Sequence, residues 1–442
     1  MSSVLKILGG ESAVGKNVPE ELFAWPYVNK EIEDAVLDVV RRNAMSDNDI
    51  TQKFEKEFAK WQQRKYAVAY CNGTLSLQAA MFAVGLGAGD ELICPTKTYW
   101  ASCMSAASLG ASVVFANVKR DTLCLDPDDL ERCLSPKTKA IMVVHYAGYP
   151  AEMDKICAFA KKHGLKVIED VSHAQGGRYK GQMVGTFGDV AAMSLMSGKS
   201  FATGEMGIMV TDNVEMYERG LAYSHYERNN EKFIGETEYL KEFYHLPLGG
   251  MKGRVNQICP AIGLIRLKDY DEKTAEVRKA MNYFLDKMEG VKGFRAIRVD
   301  EKDGSTMAGW YMPQAMYVAE ELGGLPIELY LKAVEAETGF LGSEGANYPL
   351  HTHTYFRNFD LFQTGTPTRI QFAERDVREL DDALAPSENI PCFSIPWFKK
   401  FIPEVIDQYV EGYKKVSEHY EEILANCQKE DGVGGRWYGF NN

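Results

Sequence analysis

From residue 66 the chain alternates short β-rich runs with longer helical patterns, punctuated by Gly, Pro and Asp, and this alternation restricts its possible folds more than any other feature. Strands are expected over 66–70, 91–94, 112–116, 140–146 and 166–170, with helices over 75–86, 100–109, 127–134 and 152–163 between them. Parallel neighbours need crossover connections, so the pattern predicts an α/β fold whose mostly parallel sheet is sandwiched by helices. Two further apolar runs, 190–195 and 208–211, bring the expected sheet to seven strands. Past residue 212 the pattern changes to a helix over 215–226, a charged and aromatic stretch to Leu246, and a long helix from Pro260 to about Glu289. We expect that helix to link a large domain over 41–290 to a smaller α+β C-terminal domain over 291–442. The smaller domain would hold a strand-like run at 308–317 and helices over 327–335 and 403–418. Residues 1–40 are expected to pack on it, and no internal repeat is found.

At 442 residues, 45% hydrophobic and 25% charged, the composition is that of a soluble globular protein. A net charge of -12 argues against nucleic-acid binding, which needs a basic surface. The aromatic-basic end 435–440 reads as a tail. The nine cysteines are scattered and never spaced C-x-x-C, so we expect reduced thiols, no disulfide framework, no metal site and a cytoplasmic location. The start has too short an apolar run for a secretory signal. The uncharged stretch 98–118 carries four serines, a glycine and an asparagine, which suits a buried helix and strand rather than a membrane span.

The chemistry centres on Lys199, in the Ser/Gly-rich turn Ser194-Leu-Met-Ser-Gly-Lys-Ser-Phe-Ala-Thr-Gly204. Asp170 ends a preceding strand, at the carboxyl edge where open α/β sheets bind ligands. A lysine amine that can form a Schiff base, and a carboxylate that can keep a pyridine nitrogen protonated, are what a pyridoxal 5'-phosphate site requires. Asn72-Gly73-Thr74 opens the first helix, where free N–H groups suit a phosphate; the plainer reading makes Thr74 a helix cap. Asp170 or its neighbour Glu169 could equally cap a loop. His173 follows closely, and Tyr99 or Trp100 could stack on a ring or simply fill core.

Gly89-Asp-Glu-Leu-Ile-Cys-Pro95, Thr138-Lys-Ala-Ile-Met-Val-Val-His145-Tyr-Ala-Gly148 and Glu169-Asp-Val-Ser-His-Ala174, taken with Ser194, Lys199 and Gly204-Glu205, resemble the DegT-type sugar aminotransferases. These are fold type I pyridoxal phosphate enzymes that aminate keto-sugars and keto-cyclitols. The similarity runs from about residue 25 to 290 and returns at Asn347-Tyr-Pro-Leu-His351. It implies that Lys199 carries the cofactor, Asp170 pairs with its ring nitrogen, His173 lies near its ring oxygen and Tyr99 stacks on the ring, while Gly73, Thr74 and Ser194 hold the phosphate. It further implies a homodimer with shared active sites, in which Lys252 and Arg254 of Gly250-Met-Lys-Gly-Arg254 reach a neighbour's phosphate. Lysine stands at 252 where the family carries asparagine, and Met206-Gly207 replaces its paired glycines. The implied reaction is ping-pong, from glutamate or glutamine to a ketone, with Tyr348 and His351 as candidate substrate contacts.

Three other readings compete. His351-Thr-His353 resembles two metal ligands but lacks a third. A same-fold deoxysugar dehydratase would carry histidine in place of Lys199. A regulator that binds the cofactor without turnover would keep the motif and lose the reaction.

Overall fold

A computed structural model of the protein describes residues 4–15, 17–357, 360–366 and 376–427; the tail at 435–440 lies outside these. The large sheet has seven strands: β1 (Tyr66–Tyr70), β2 (Glu91–Pro95), β3 (Ser112–Ala116), β4 (Thr138–Val144), β5 (Lys166–Asp170), β6 (Val190–Ser194) and β7 (Gly207–Thr211), in the order β1-β7-β6-β5-β4-β2-β3. All neighbours are parallel except β7, which runs antiparallel to both β1 and β6. The strands are apolar almost throughout because helices cover both faces, leaving little position for polar alternation.

This topology places the chemistry. β1, β2, β5 and β6 all point their carboxyl ends the same way, so Asn72, Thr96, Asp170 and Ser194 lie along one edge. The single antiparallel strand begins at that edge, where Gly207 pairs with both Tyr70 and Ser194. The β6-to-β7 connection, which carries Lys199, therefore turns back directly over the strand ends.

A second, antiparallel sheet joins β8 (Phe294–Ala296), β9 (Gln314–Tyr317) and β10 (Cys392–Ser394), and packs with the helices Tyr270–Lys287, Ile327–Thr338 and Pro403–Glu418. Its core unites Phe284, Phe294, Tyr330, Phe393 and Tyr413 with Leu5, Val14 and Leu22 from the start of the chain. Among the described residues no helix is long and apolar enough to cross a membrane.

Three expected elements differ. The helix over 100–109 is two 3₁₀ turns, Trp100–Ser102 and Met104–Leu109, broken where Cys103 takes φ -140°. The helix from 260 to 289 is two, Ile258–Arg266 and Tyr270–Lys287. At the break, the Arg266 guanidinium donates to the Tyr27 carbonyl and Asp269 accepts from the Tyr27 hydroxyl, tying the junction to the N-terminal segment. The strand over 308–317 shrinks to Gln314–Tyr317, because Trp310 and Met312 sit at φ 52°, a left-handed conformation that no strand tolerates.

Candidate active site

At the carboxyl edge a cavity of about 400 Å³ opens. It brings together Gly73, Thr74, Tyr99, Asp170, His173, Ser194 and Lys199, from four separate segments of the sheet edge.

Gly73 and Thr74 form the first turn of the helix Gly73–Ala83, capped by Asn72, whose side-chain oxygen accepts from the Leu75 N–H at 2.8 Å. Asn72, not Thr74, is thus the cap. The first-turn N–H groups of Gly73 and Thr74 and the Thr74 hydroxyl are left free to face the cavity. Only glycine fits at 73, since a Cβ there would lie 2.7 Å from the Ser194 Cα. That close approach sets Ser194 directly against the helix N-terminus.

The Lys199 turn is closed by pairing of Met196 with Gly204, and Ser197 N–H donates to the Gly204 carbonyl at 2.8 Å. Gln175 secures it from below, donating to the Ser194 carbonyl at 2.8 Å and accepting from the Ser200 hydroxyl at 2.6 Å. Trp25, from the N-terminal segment, donates to the Lys199 carbonyl at 3.0 Å. The Lys199 side chain is buried, and its ammonium lies 4.0 Å from the centre of the Tyr311 ring with no hydrogen-bond partner among the described residues. Burial brings the amine down to about 8, partly opposed by the negative charge of Asp170.

Asp170 accepts from the Ser102 hydroxyl at 2.7 Å and from the Ser172 N–H at 3.0 Å. Ser102 in turn pairs with the Thr98 hydroxyl at 2.9 Å. Its neighbour Glu169 faces the opposite side of the strand, where it accepts from His145 at 3.0 Å and from the N–H groups of Gly185, Phe187 and Gly188. Of the two acids, Glu169 is the structural one.

His173 is buried beside the rings of Tyr146 and Tyr311, at centroid distances of 5.4 and 4.6 Å. Its Nδ1 accepts from the Ala147 N–H at 3.3 Å, which leaves the proton of the neutral ring on Nε2. Burial, reinforced by the charge of Lys199, holds its basicity well below the ordinary histidine range.

The remaining candidates lie elsewhere. Lys252 is exposed, and Arg254 lies within electrostatic reach of Glu227; neither lines this chain's own cavity. Their segment runs beside the end of β1, where Cys71 N–H donates to the Gly253 carbonyl at 2.9 Å. Tyr348 is 44% exposed and also outside the cavity. His351 is buried with both ring nitrogens engaged, Nδ1 with Thr96 at 2.6 Å and Nε2 with Glu388 at 3.1 Å. Of this stretch, Asn347 lines the cavity, whereas Tyr348 and His351 do not. Ser172, Glu205 and Tyr311 also line the cavity, and Ser102 reaches it through Asp170, none of them expected from the sequence; Ser172 and Glu205 sit inside quoted motifs, Ser102 lies two residues past Trp100, and Tyr311 carries no local signal. No cluster of three or more metal-ligating side chains occurs among the described residues.

The DegT/DnrJ/EryC1/StrS aminotransferase family matches residues 26–367. GDP-perosamine synthase of Escherichia coli O157:H7 is 33% identical over 307 residues, covering 70% of this chain and 79% of the relative. L-glutamine:2-deoxy-scyllo-inosose aminotransferase of Streptoalloteichus tenebrarius is 29% identical over 335 residues, covering 75% and 76%. Among solved structures, the aminotransferase from Psychrobacter cryohalolentis superposes with a TM-score of 0.75 at 28% identity, covering 90% of this chain and 100% of that one. The chain belongs to the DegT/DnrJ/EryC1/StrS family and is a pyridoxal-phosphate-dependent sugar aminotransferase of fold type I.

Proposed function

We propose that this chain moves an amino group from glutamate or glutamine to a keto-sugar or keto-cyclitol by a ping-pong cycle centred on Lys199. The observation that carries the reading is a buried, unpartnered amine sharing one cavity with a positioned carboxylate and a free helix N-terminus.

These groups fit pyridoxal phosphate. The first-turn N–H groups of Gly73 and Thr74, with Ser194, suit its phosphate; Asp170 suits the pyridine nitrogen, His173 the ring oxygen, Tyr99 the ring face, and Lys199 the aldehyde. When bound, the cofactor supplies an aldehyde that condenses with amines and a ring that withdraws electrons.

The protein's own part is to hold groups and move protons. An amine lowered to about 8 is partly neutral near physiological pH, so Lys199 can both accept and return a proton at the substrate carbon, work that contributes about 10²–10⁴-fold. Ser102 and Ser172 keep Asp170 as an oriented acceptor. Neutral His173 offers an Nε2–H donor without adding charge. Lys252 and Arg254, exposed or partly so and away from their own cavity, are assigned to a neighbouring copy's phosphate in a homodimer. Nine free cysteines suit a reducing cytoplasm.

Borohydride reduction of the cofactor-loaded protein followed by peptide mass analysis should place the label on Lys199, and K199A should lose it. In unreduced wild-type protein, glutamate or glutamine should convert the bound cofactor to its amine form, and a panel of keto-cyclitols and keto-sugars should convert it back. Label retained in K199A, or on another lysine, would overturn the assignment.

A further inference from the structure

Asn347 stands out among the cavity residues because its backbone and one end of its amide are held, while the other end is not. Only 5% exposed, it comes from the segment before Leu350, whose N–H donates to the Thr96 carbonyl beyond β2 at 2.8 Å. The Asn347 N–H donates to the Tyr146 hydroxyl at 3.0 Å, and that hydroxyl donates to Oδ1 at 2.6 Å. The buried Lys97 ammonium donates to the Asn347 carbonyl at 3.3 Å. Tyr146 is itself buried, and its single proton needs an acceptor; Oδ1 is the one in place, which fixes the amide's orientation. The Nδ2 group is thereby left with two donors and no partner among the described residues, on the side of the cavity where Tyr146 packs against His173.

Building on the aminotransferase reading above, we propose that Asn347 Nδ2 reads an oxygen of both substrates in turn, a carboxylate oxygen of the amino-acid donor and a hydroxyl oxygen of the polyhydroxylated ketone acceptor. A ping-pong cavity must accept an anion and then a neutral polyol in one place. A neutral N–H donor serves both, whereas a cation would favour the anion and hold it back from release. Among the described lining residues the only cation is Lys199, and Asp170 and Glu205 already contribute carboxylates, so a carboxylate substrate depends on donors such as this amide.

The test uses the cofactor-loaded enzyme and follows the two half-reactions separately. N347D is nearly isosteric and keeps an acceptor for Tyr146, but it replaces the donor with a second acceptor. KM for glutamate or glutamine should rise on the order of tenfold or more, with kcat less affected. KM for the ketone should rise less, because a hydroxyl can turn and donate to the new carboxylate. Y146F, which frees the amide without removing it, should raise both KM values by a smaller factor; it also serves if N347D does not fold. Wild-type KM values for both substrates in either folded variant would overturn the proposal. If the wild-type enzyme carries out neither half-reaction, the functional reading fails and this inference falls with it.

Discussion

Replacing Lys199 with methionine in the cofactor-free protein removes a buried cation while keeping an unbranched side chain of similar length. Burial takes the amine from 10.5 to about 8 despite the charge of Asp170, which corresponds to about 3 kcal/mol disfavouring the ammonium in the folded state. Below about pH 8 both folded and unfolded chains hold the proton, and the penalty is fully present. Between about 8 and 10.5 the unfolded chain still binds a proton that the folded chain has released, so wild-type stability rises with pH until the penalty is gone. K199M has no proton to bind there. Its stability relative to wild type should therefore fall by about 3 kcal/mol between pH 7 and pH 10.5. Lost contact with the Tyr311 ring will offset part of its advantage at pH 7. The pH-dependent part survives such packing changes, and His173 titrates well below the window. Urea unfolding of both proteins at several pH values measures it directly. A gap that stays constant from pH 7 to 10 would refute burial as the cause of the lowered amine.

Two further substitutions probe the cradle and the acid. G73A places a Cβ 2.7 Å from the Ser194 Cα, a clash with backbone that no rotamer relieves; it should destabilise the protein by about 1–3 kcal/mol and lower cofactor retention after dialysis, and normal retention would show that the helix N-terminus does not hold the phosphate. S102A removes one of two hydrogen bonds to Asp170 in a buried setting, and turnover should fall about tenfold with the thermal midpoint little changed, while S102T should recover much of the loss.

The large sheet was legible because each strand is a short apolar run bounded by Gly, Pro or Asp, and burial on both faces demands that composition. That Gly73, Thr74, Asp170, Ser194 and Lys199 would gather at one cavity was legible for a related reason: they lie at or just past the carboxyl ends of strands, which sequence marks well. Tyr311 and Asn347 were not. Both reach the cavity from segments more than 100 residues beyond Lys199; no local pattern marks Tyr311, and the stretch that begins at Asn347 was marked without showing which of its residues turns inward. The 100–109 segment misled for a different reason. Its apolar spacing suits a helix, yet the Ser102 hydroxyl is committed to Asp170 and Thr98, and the backbone bends into 3₁₀ turns around it.

The adjacent acids Glu169 and Asp170 show how far pattern alone could go. Both end the same strand, and nothing in their chemistry separates them. The pleat does, since consecutive strand residues point to opposite faces. Glu169 turns toward a loop that offers it three N–H groups and His145, where hydrogen bonding outweighs burial and keeps the carboxylate ionised. Asp170 turns toward Ser102 and the cavity. One carboxylate is saturated by the fold and the other retains acceptor capacity for a ligand. A one-residue slip of β5 would exchange them, so the register that pairs Val144 with Asp170 on one side and Asp170 with Ala192 on the other determines which acid can serve the site.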